Sequence, residues 1–394
     1  MTAERTSPGS SLTVREQEVS RLGILDLATG YPRMSTPAWL ADILYPRSAP
    51  ELLRRYRQRF AHATVPSFHR LPAPAALEAD LISSMLGLLG LPRSLAPNCF
   101  CVLSGSMALE RMLSALLRPG GEARLPGPVF DVIPALIGER RARIRWWELD
   151  WAEPAWHLAG TDLDTADVTI VVSPDNPSGL TVPAATLRGL ATAAADAGTV
   201  LIVDQSFALL SADGVPAPLL AASADRGDPW VMLWDTGKSF DLDGEKLAFV
   251  IVGDPLLAIA RRSIPVTHGT LPCRLTMQMA LALSEAADRG YPAFLAGARA
   301  RNHATLKNLA HADATVSAGD FGGFALVDPP TGDMEILLRA AERQGIGLIT
   351  TDSFVRTTPF AHRYRPVLRL PLLRDPDFME AAVEGLGRLM RPAA

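Results

Sequence analysis

The chain has 394 residues, which is enough for two domains because single hydrophobic cores stop growing near about 250–300 residues. Its formal net charge of −4, with 20% charged residues, leaves no basic field that could hold a nucleic acid. The lack of a long apolar run and of a signal-peptide core predicts a cytoplasmic protein with neither a membrane nor a nucleic-acid partner.

The predicted elements begin with an N-terminal arm over residues 1–48, which we assign partly to the smaller domain. Its segment LDLATGYPRMSTPAWL (25–40) starts apolar, turns at Gly30-Tyr31-Pro32 and becomes helical near Pro37. Helical spacing follows in AALEADLISSMLGLL (75–89). The apolar run CFCVLSG (99–105) leads into MALERMLSALL, so Gly105-Ser106-Met107 lies where a strand becomes a helix.

Four β-rich runs come next, and the first two flank a helical stretch. They are VTIVVSP (168–174), TVLIVDQSF (199–207), WVMLWDT (230–236) and LAFVIVGD (247–254). This alternation predicts a large α/β domain over 49–262, with a sheet buried on both faces. Helical residues 255–290, the run GGFALVD (322–328), helix-like 333–345 and VLRLPL (367–372) predict a smaller α+β domain over 263–394.

Cysteines and histidines give no pattern typical of a metal site. Cys99, Cys101 and Cys273 form neither CxxC pairs nor a disulfide framework, and the seven histidines show no HExxH or HxH spacing. We therefore expect buried core thiols and no metal. Glycine-rich nucleotide signatures are absent from the sequence too, so a bound phosphate would be held by other means.

Three polar residues follow predicted strands, at the edge where open α/β sheets bind their ligands. Asn176 lies in SPDNPSG, Asp204 in IVDQSF and Lys238 in WDTGK. Singly, each is also explained as a turn residue, a helix cap or a solvated charge. Lys238 is one of three lysines among 38 basic residues. Lysine, unlike arginine, can be tuned to a nucleophilic amine that forms a Schiff base.

Together these residues resemble the fold-type I pyridoxal-phosphate (PLP) enzymes, the class I/II aminotransferase superfamily. The family pattern is Asn-Pro-x-Gly, then Asp-x-[Ala/Ser]-Tyr, then a Schiff-base lysine, and here it reads NPSG, DQSF and DTGK. The resemblance implies the α/β aminotransferase fold type I, with a mostly parallel seven-stranded sheet in the large domain plus a smaller α+β domain. It also implies a homodimer with shared active sites that binds an amino-acid substrate.

The resemblance assigns roles to site residues. Lys238 would carry the cofactor, Asp204 would pair with its pyridine nitrogen and make the ring an electron sink, and Asn176 would donate to its 3-oxygen and lie near the substrate. The other implied cofactor contacts are the stacking residue and the phosphate ligands, namely Phe130, Gly105, Ser106, Met107, Thr236 and Lys246. Gly30 and Arg369 would bind the substrate, Arg369 as a bidentate fork on the α-carboxylate.

Each of these roles has a simpler alternative. A lone phenylalanine such as Phe130 is usually a core residue, and an arginine between leucines, such as Arg369, is otherwise an outward-facing charge. His69 would lie near the partner subunit's site.

The position of Phe207 bears on the reaction, because the family usually has there a tyrosine whose hydroxyl bonds the 3-oxygen. With DTGK, Lys246 and Phe130, this departure resembles the oxygen-dependent PLP arginine oxidases and hydroxylases of enduracididine-type biosynthesis. Those enzymes have an acidic residue and a histidine around the N-terminal glycine, where this chain has Thr29-Gly30-Tyr31-Pro32, which argues against arginine as substrate. Glu16, Glu18 and Asp26 are the alternative carboxylate partners for a substrate guanidinium, although we expect each of them to be a solvated charge.

The leading hypothesis is a PLP enzyme of natural-product metabolism acting on a free L-amino acid. It would form an external aldimine, then a quinonoid by Cα–H removal, and continue by oxidation or Cβ/Cγ chemistry. The alternatives are a conventional aminotransferase, an elimination or cyclisation enzyme, and a regulatory module that keeps PLP without turnover.

Overall fold

The computed structural model describes residues 16, 25–60, 72–148, 166–211, 227–240, 242, 245–265, 270–317, 322–330, 333–355 and 358–391. These residues form twelve α-helices: α1 (Ala38–Leu44), α2 (Ala49–Arg59), α3 (Pro74–Leu88), α4 (Gly105–Leu116), α5 (Val132–Glu139), α6 (Ala184–Asp196), α7 (Leu257–Ser263), α8 (Cys273–Asp288), α9 (Tyr291–Leu306), α10 (Met334–Arg343), α11 (Asp352–Val355) and α12 (Pro376–Met390).

The same residues form thirteen strands: β1 (Leu25–Asp26), β2 (Cys99–Val102), β3 (Glu122–Gly127), β4 (Arg143–Glu148), β5 (Val168–Val172), β6 (Val200–Asp204), β7 (Trp230–Asp235), β8 (Ala248–Val252), β9 (Thr315–Val316), β10 (Phe324–Asp328), β11 (Ile346–Gly347), β12 (Ile349–Thr350) and β13 (Leu368–Pro371).

The main sheet has seven strands in the order β2-β8-β7-β6-β5-β3-β4. Strand β8 is antiparallel to β2 and β7, and the other neighbours are parallel. Every residue of β5, β7 and β8 is buried, as expected for strands covered on both faces. The predicted α/β fold with a mostly parallel seven-stranded sheet is therefore confirmed.

Side chains of the sheet alternate between two apolar cores because successive residues of a strand point to opposite faces. On β7, Trp230, Met232 and Trp234 belong to one core, and Val231 and Leu233 belong to the other. Helices α3 and α8 contribute to the first core, and α4, α5 and α7 to the second.

A second, antiparallel sheet in the order β12-β13-β10-β9 packs in a core of its own with α10 and α12. The N-terminal arm joins this part of the molecule. Leu25 and Asp26 pair in parallel with Ile346 and Gly347, and the backbones of Arg33 and Arg374 form an isolated parallel β-bridge. The arm thereby approaches the end of the main sheet from the side of β11 and Arg374.

The strands predicted within 99–105, 168–174, 199–207, 230–236, 247–254, 322–328 and 367–372 are confirmed as β2, β5, β6, β7, β8, β10 and β13. Strands β3 and β4 were not predicted. The sequence of β3 contains Pro126 and Gly127, which are typical of turns, and β4 is a half-exposed edge strand.

The boundary between 262 and 263 stays a prediction. Helix α8, which follows this boundary, packs against α3 and shares the first core of the large sheet.

Within the described ranges, no helix is long and apolar enough to cross a membrane, and no cluster of His, Cys, Asp and Glu could hold a metal ion. Cys99 and Cys101 are buried, and Cys273 is partly buried.

Candidate active site

A cavity of about 380 Å³ lies at the carboxyl ends of the central strands and the N-terminus of α4. This volume falls within the range of about 300–1,000 Å³ that is usual for small-molecule sites. The predicted residues that line it are Gly105, Ser106, Phe130, Asn176, Asp204, Lys238 and Lys246. Gly30, Met107, Thr236 and Arg369 are not part of the lining.

The sheet register explains why the three polar strand-end residues converge. Asp204, the last residue of β6, pairs with Val172 of β5 on one side and Leu233 of β7 on the other. The segments that follow β5 and β7 carry Asn176 and Lys238, so all three side chains reach the same edge of the sheet.

The Asp204 carboxylate accepts two hydrogen bonds from Ser206, through the backbone N–H to Oδ1 at 2.9 Å and the hydroxyl at 2.6 Å. Burial raises the pKa of Asp204 despite these bonds, Asp235 adds to the rise, and Lys238 opposes it. A cation placed against this carboxylate in the cavity would favour its charged form. A protonated pyridine nitrogen is such a cation.

The orientation of the Asn176 amide follows from its neighbour. Arg369 Nη1 donates to Asn176 Oδ1 at 3.0 Å. A guanidinium has only donors, so the amide oxygen must face it, and the Nδ2 amine is left to donate elsewhere. This arrangement fits an amide that donates to the oxygen of a bound ring.

Lys238 ends a 3₁₀ turn, Thr236–Lys238, that directly follows β7. Asp235 caps the turn by accepting the Gly237 N–H at 2.8 Å. The Lys238 Nζ lies 3.8 Å from the ring centroid of Tyr31 and 5.7 Å from that of Phe207. The amine is therefore held between two aromatic rings at the edge of the cavity.

The N-terminus of α4 is partly occupied by side chains of the protein. Ser104 is the N-cap and accepts the Met107 N–H at 3.2 Å, and the Gly105 N–H donates to Asp235 Oδ2 at 2.9 Å. A Cβ at position 105 would lie 3.2 Å from that same oxygen, so the close approach favours glycine. Ser106 lies between these two donors and lines the cavity.

The two further predicted phosphate ligands differ in position. Thr236 is fully buried, and its hydroxyl accepts the Leu247 N–H at 3.0 Å. Lys246 lines the cavity, and its Nζ donates to the Tyr31 hydroxyl at 2.5 Å. Lys246 and Ser106 are thus better placed than Thr236 and Met107 to meet a phosphate.

Arg369 is fully buried behind the cavity wall, not exposed on an outer face. Its Nη2 donates to Glu16 Oε1 at 2.9 Å and to the Ala28 carbonyl, and Glu16 itself lines the cavity. Burial lowers the pKa of Arg369, and the charge of Glu16 opposes that effect. A Cβ at Gly30 would lie 3.3 Å from the Phe324 ring, so this glycine permits the close approach of the arm.

The expectation that Glu16 and Asp26 are solvated charges is wrong. Glu16 is 8% exposed and paired with Arg369. The Asp26 carboxylate accepts hydrogen bonds from the N–H groups of Ala28 and Thr29 and from the Thr29 hydroxyl. Glu18 and His69 lie outside the described residues.

The sequence analysis missed several residues of the cavity wall as site residues, among them Tyr31, Ser206 and Asp235. Ser206 and Asp235 are neighbours of the predicted residues within DQSF and DTGK, so their proximity was available from the motifs. Tyr31 follows Gly30, which the resemblance assigns to the substrate site, so the Gly30-Tyr31-Pro32 segment was its local signal although it reaches the cavity from the distant N-terminal arm.

The residues present fit PLP. The Lys238 amine matches its aldehyde, and the Asp204 carboxylate matches its ring nitrogen. The Asn176 amide matches its ring oxygen. The N-terminus of α4, together with Lys246, matches its phosphate.

Comparison with known proteins gives several matches. The family model "Aminotransferase class I and II" matches residues 84–361. The aromatic aminotransferase ISS1 of Arabidopsis thaliana is 26% identical over 148 residues, which cover 38% of this chain and 36% of ISS1. The probable N-succinyldiaminopimelate aminotransferase DapC of Mycobacterium tuberculosis is 22% identical over 414 residues, covering 100% of both chains. Matches to the first three curated relatives span only 27–57% of their lengths.

A solved structure of MppP soaked with the product 2-ketoarginine superposes with a TM-score of 0.75 at 19% identity, covering 93% of this chain and 99% of MppP. At that identity the likeness shows the fold alone. The family model, in contrast, spans well over half of the chain. The chain therefore belongs to the class I and II aminotransferase family of PLP-dependent enzymes.

Proposed function

We propose that this protein acts on a free L-amino acid, removes its Cα–H proton, and continues by oxidation or Cβ/Cγ chemistry in specialised metabolism. The observation that carries the proposal is the convergence of Lys238, Asp204 and Asn176 on one cavity. Bound PLP supplies an electron sink for the electrons released at Cα.

The side chains divide the work. Lys238 would hold the cofactor, and its amine is the candidate base for the Cα–H proton. Asp204 would favour a protonated ring nitrogen, and Asn176 would donate to the ring oxygen. Arg369 is the candidate group for the substrate carboxylate, which would have to share or replace the contact that Glu16 now makes.

Oxidation is favoured by Phe207. It is 4% exposed, lines the cavity and offers no hydroxyl where a tyrosine is usual in the family. The MppP structure that shares this fold was soaked with the product 2-ketoarginine, so the fold can accommodate chemistry at the Cα of an amino acid.

A conventional aminotransferase is the second candidate, and the family model and the named relatives favour it. Such an enzyme would exchange the amino group with a 2-oxo acid. Elimination or cyclisation would be a branch of the Cβ/Cγ chemistry of the first candidate.

The test is to mix the PLP-loaded protein with each amino acid, with and without 2-oxoglutarate, in air and under nitrogen. We expect O₂ uptake with at least one amino acid and no glutamate. The variant Lys238→Ala should lose this activity, and Lys307→Ala, an exposed lysine far along the chain, should keep it. Glutamate without O₂ uptake would establish the second candidate, and no change with any amino acid would overturn both.

We also propose a homodimer with shared active sites, which is the assembly that the family resemblance implies. Light scattering should give twice the chain mass of 42.2 kDa at micromolar concentration. A mass of one chain at all concentrations would contradict this assembly.

A further inference from the structure

Tyr31 lies between the two lysines of the cavity. Its ring centroid is 3.8 Å from Lys238 Nζ and 4.6 Å from Lys246 Nζ, and its hydroxyl accepts from Lys246 at 2.5 Å. A nitrogen at 3.8 Å over an aromatic face is well within the roughly 6 Å reach of cation–π attraction. Phe207, at 5.7 Å, is the more distant ring.

The backbone around Tyr31 is fixed. Arg374, which is 1% exposed, donates from Nη1 to the Tyr31 carbonyl at 2.8 Å. Its Nη2 donates to the Thr29 carbonyl at 2.8 Å and its Nε to the Asp26 carbonyl at 2.8 Å. A fully buried guanidinium thus ties three carbonyls of the arm to one point, so the ring of Tyr31 is presented to Lys238 by a rigid segment.

We propose that Tyr31 is a positioning residue whose ring face stabilises positive charge on the Lys238 nitrogen and orients that nitrogen towards the cofactor. The inference rests on the proposed function, because it takes Lys238 as the cofactor-bearing residue. The ring, and not the hydroxyl, is the group that stabilises the charge. The hydroxyl faces Lys246 and so serves the other lysine.

Other charged groups line the same cavity and remain in every variant at position 31. They come from four parts of the chain: Asp204 at the end of β6, Asp235 at the end of β7, Lys246 before β8, and Glu16 with Arg369 behind it. Tyr31→Phe and Tyr31→Leu both remove the hydroxyl that Lys246 contacts, so a difference between these two variants reports on the ring.

The experiment titrates the visible absorbance of the PLP-loaded protein with pH and compares three changes. Tyr31→Phe keeps the ring, and we expect its pH midpoint to stay within about 0.3 units of the original. Tyr31→Leu removes the ring, which makes the protonated form of the nitrogen less stable relative to the neutral form. The pH midpoint should therefore fall by about one unit. Tyr45→Leu, at a tyrosine that is 62% exposed, is the control and should change nothing.

A third substitution at position 31 avoids the loss of side-chain volume that Tyr31→Leu causes. Tyr31→pentafluorophenylalanine keeps a ring of similar size but reverses the charge on its face, so the midpoint should fall at least as far as in Tyr31→Leu. Equal shifts in Tyr31→Phe and Tyr31→Leu would assign the effect to the hydroxyl and overturn the proposal. So would unchanged midpoints in both ring-altering variants.

Borohydride reduction of each protein separates the two possible failures. If the pyridoxyl group is fixed on Lys238 while the midpoint stays constant in every variant, the role of Tyr31 is wrong and the proposed function survives. If no pyridoxyl group is fixed on Lys238, the proposed function fails, and the inference fails with it.

Discussion

At the scale of single residues, five charged side chains from the described ranges contribute to the cavity wall. Among the described lining residues, Glu16, Asp204 and Asp235 are acidic, and Lys238 and Lys246 are basic. Glu16 is paired with Arg369. Asp235 accepts hydrogen bonds from the backbone N–H groups of Gly105 and Gly237. Asp204 is bonded only to Ser206, so it is the acid that gains most from a cationic ring nitrogen.

Asp175, next to Asn176, gives a prediction for the pH dependence of stability. It is 1% exposed, and burial raises its pKa from 3.8 to about 6 although Ser178 donates to it. A carboxyl group whose folded pKa is raised stabilises the folded state at low pH and loses that contribution as pH rises through the folded pKa. The free energy of unfolding of the wild type should therefore decrease as pH rises from about 4 to about 6 because of this group.

The variant Asp175→Asn removes this titration. We measure the free energy of unfolding of the variant and of the wild type with urea. The variant's value minus the wild-type value should increase by up to about 3 kcal/mol as pH rises from 4 to 7. The exposed Gln344→Ala, which changes no ionisable group, is the control, and its difference from the wild type should stay constant. A constant difference for Asp175→Asn as well would show that Asp175 does not titrate in this range.

The placement of residues at the cavity was predictable where a motif carries it and not where the contact spans the chain. Lys238, Asp204 and Asn176 each lie at or just after the end of a strand, and the parallel sheet brings such positions together. Glu16 is 353 residues from its partner Arg369, and Tyr31 is 215 residues from Lys246. No local pattern encodes contacts of that separation, so the burial of Glu16 was missed.

At the scale of elements, helix α4 offers a matched test. Ser104 caps α4 by accepting the Met107 N–H, and Ser48 caps α2 by accepting the Glu51 N–H. Replacing either cap by alanine should cost about 1 kcal/mol of unfolding free energy in the cofactor-free protein. Only Ser104→Ala should also weaken PLP binding, because α4 alone of the two begins at the cavity.

Fluorescence titration with PLP measures this difference. We expect the affinity to fall about three- to tenfold in Ser104→Ala, on the scale of one cap, and to stay unchanged in Ser48→Ala. Equal affinities in both variants would show that the N-terminus of α4 does not hold the phosphate.

Helix α8 tests which unit folds with the main sheet. Leu283 of α8 is fully buried in the core that also contains residues of α3 and β7. Leu283→Ala should lower the unfolding free energy by about 2–5 kcal/mol, the usual range for such a truncation. Hydrogen exchange of the β7 amides should speed up accordingly. The exposed Ile336→Ala should shift stability by less than about 0.5 kcal/mol.

Should Leu283→Ala leave β7 exchange unchanged, α8 would belong to a separately folding small domain, as the boundary at 262/263 implies. The pattern of apolar residues could not decide this question. It predicts a helix within 255–290, and only the tertiary structure shows which elements cover it.

Elements with strong apolar patterns were predicted well, and the strands lacking such a pattern were not. The fully buried strands β5, β7 and β8 consist almost wholly of apolar residues, which predicts them directly. Strand β4 alternates arginine with apolar residues at the edge of the sheet, and β3 ends in Pro126-Gly127. Pairing with a neighbour overrides local preference in both.

At the scale of the whole molecule, the alternation of strands and helices predicted the α/β class, and the family resemblance predicted the seven-stranded sheet. The arm was the part whose position mattered most to the site and was encoded least. Its β1 pairs with β11, and its backbone is tied by Arg374, so that both Tyr31 and Thr29 line the cavity. The candidate site is thus completed by chain segments that lie far apart in sequence.

The covalent attachment of PLP to Lys238 is the claim on which the account rests. Protein loaded with PLP should be reduced with borohydride, digested, and searched by mass spectrometry for a pyridoxyl group. We predict the added mass on the peptide that contains Lys238, and no such mass on peptides with Lys246 or Lys307. A protein that stays colourless with PLP, or that carries the group on another lysine, would contradict the account.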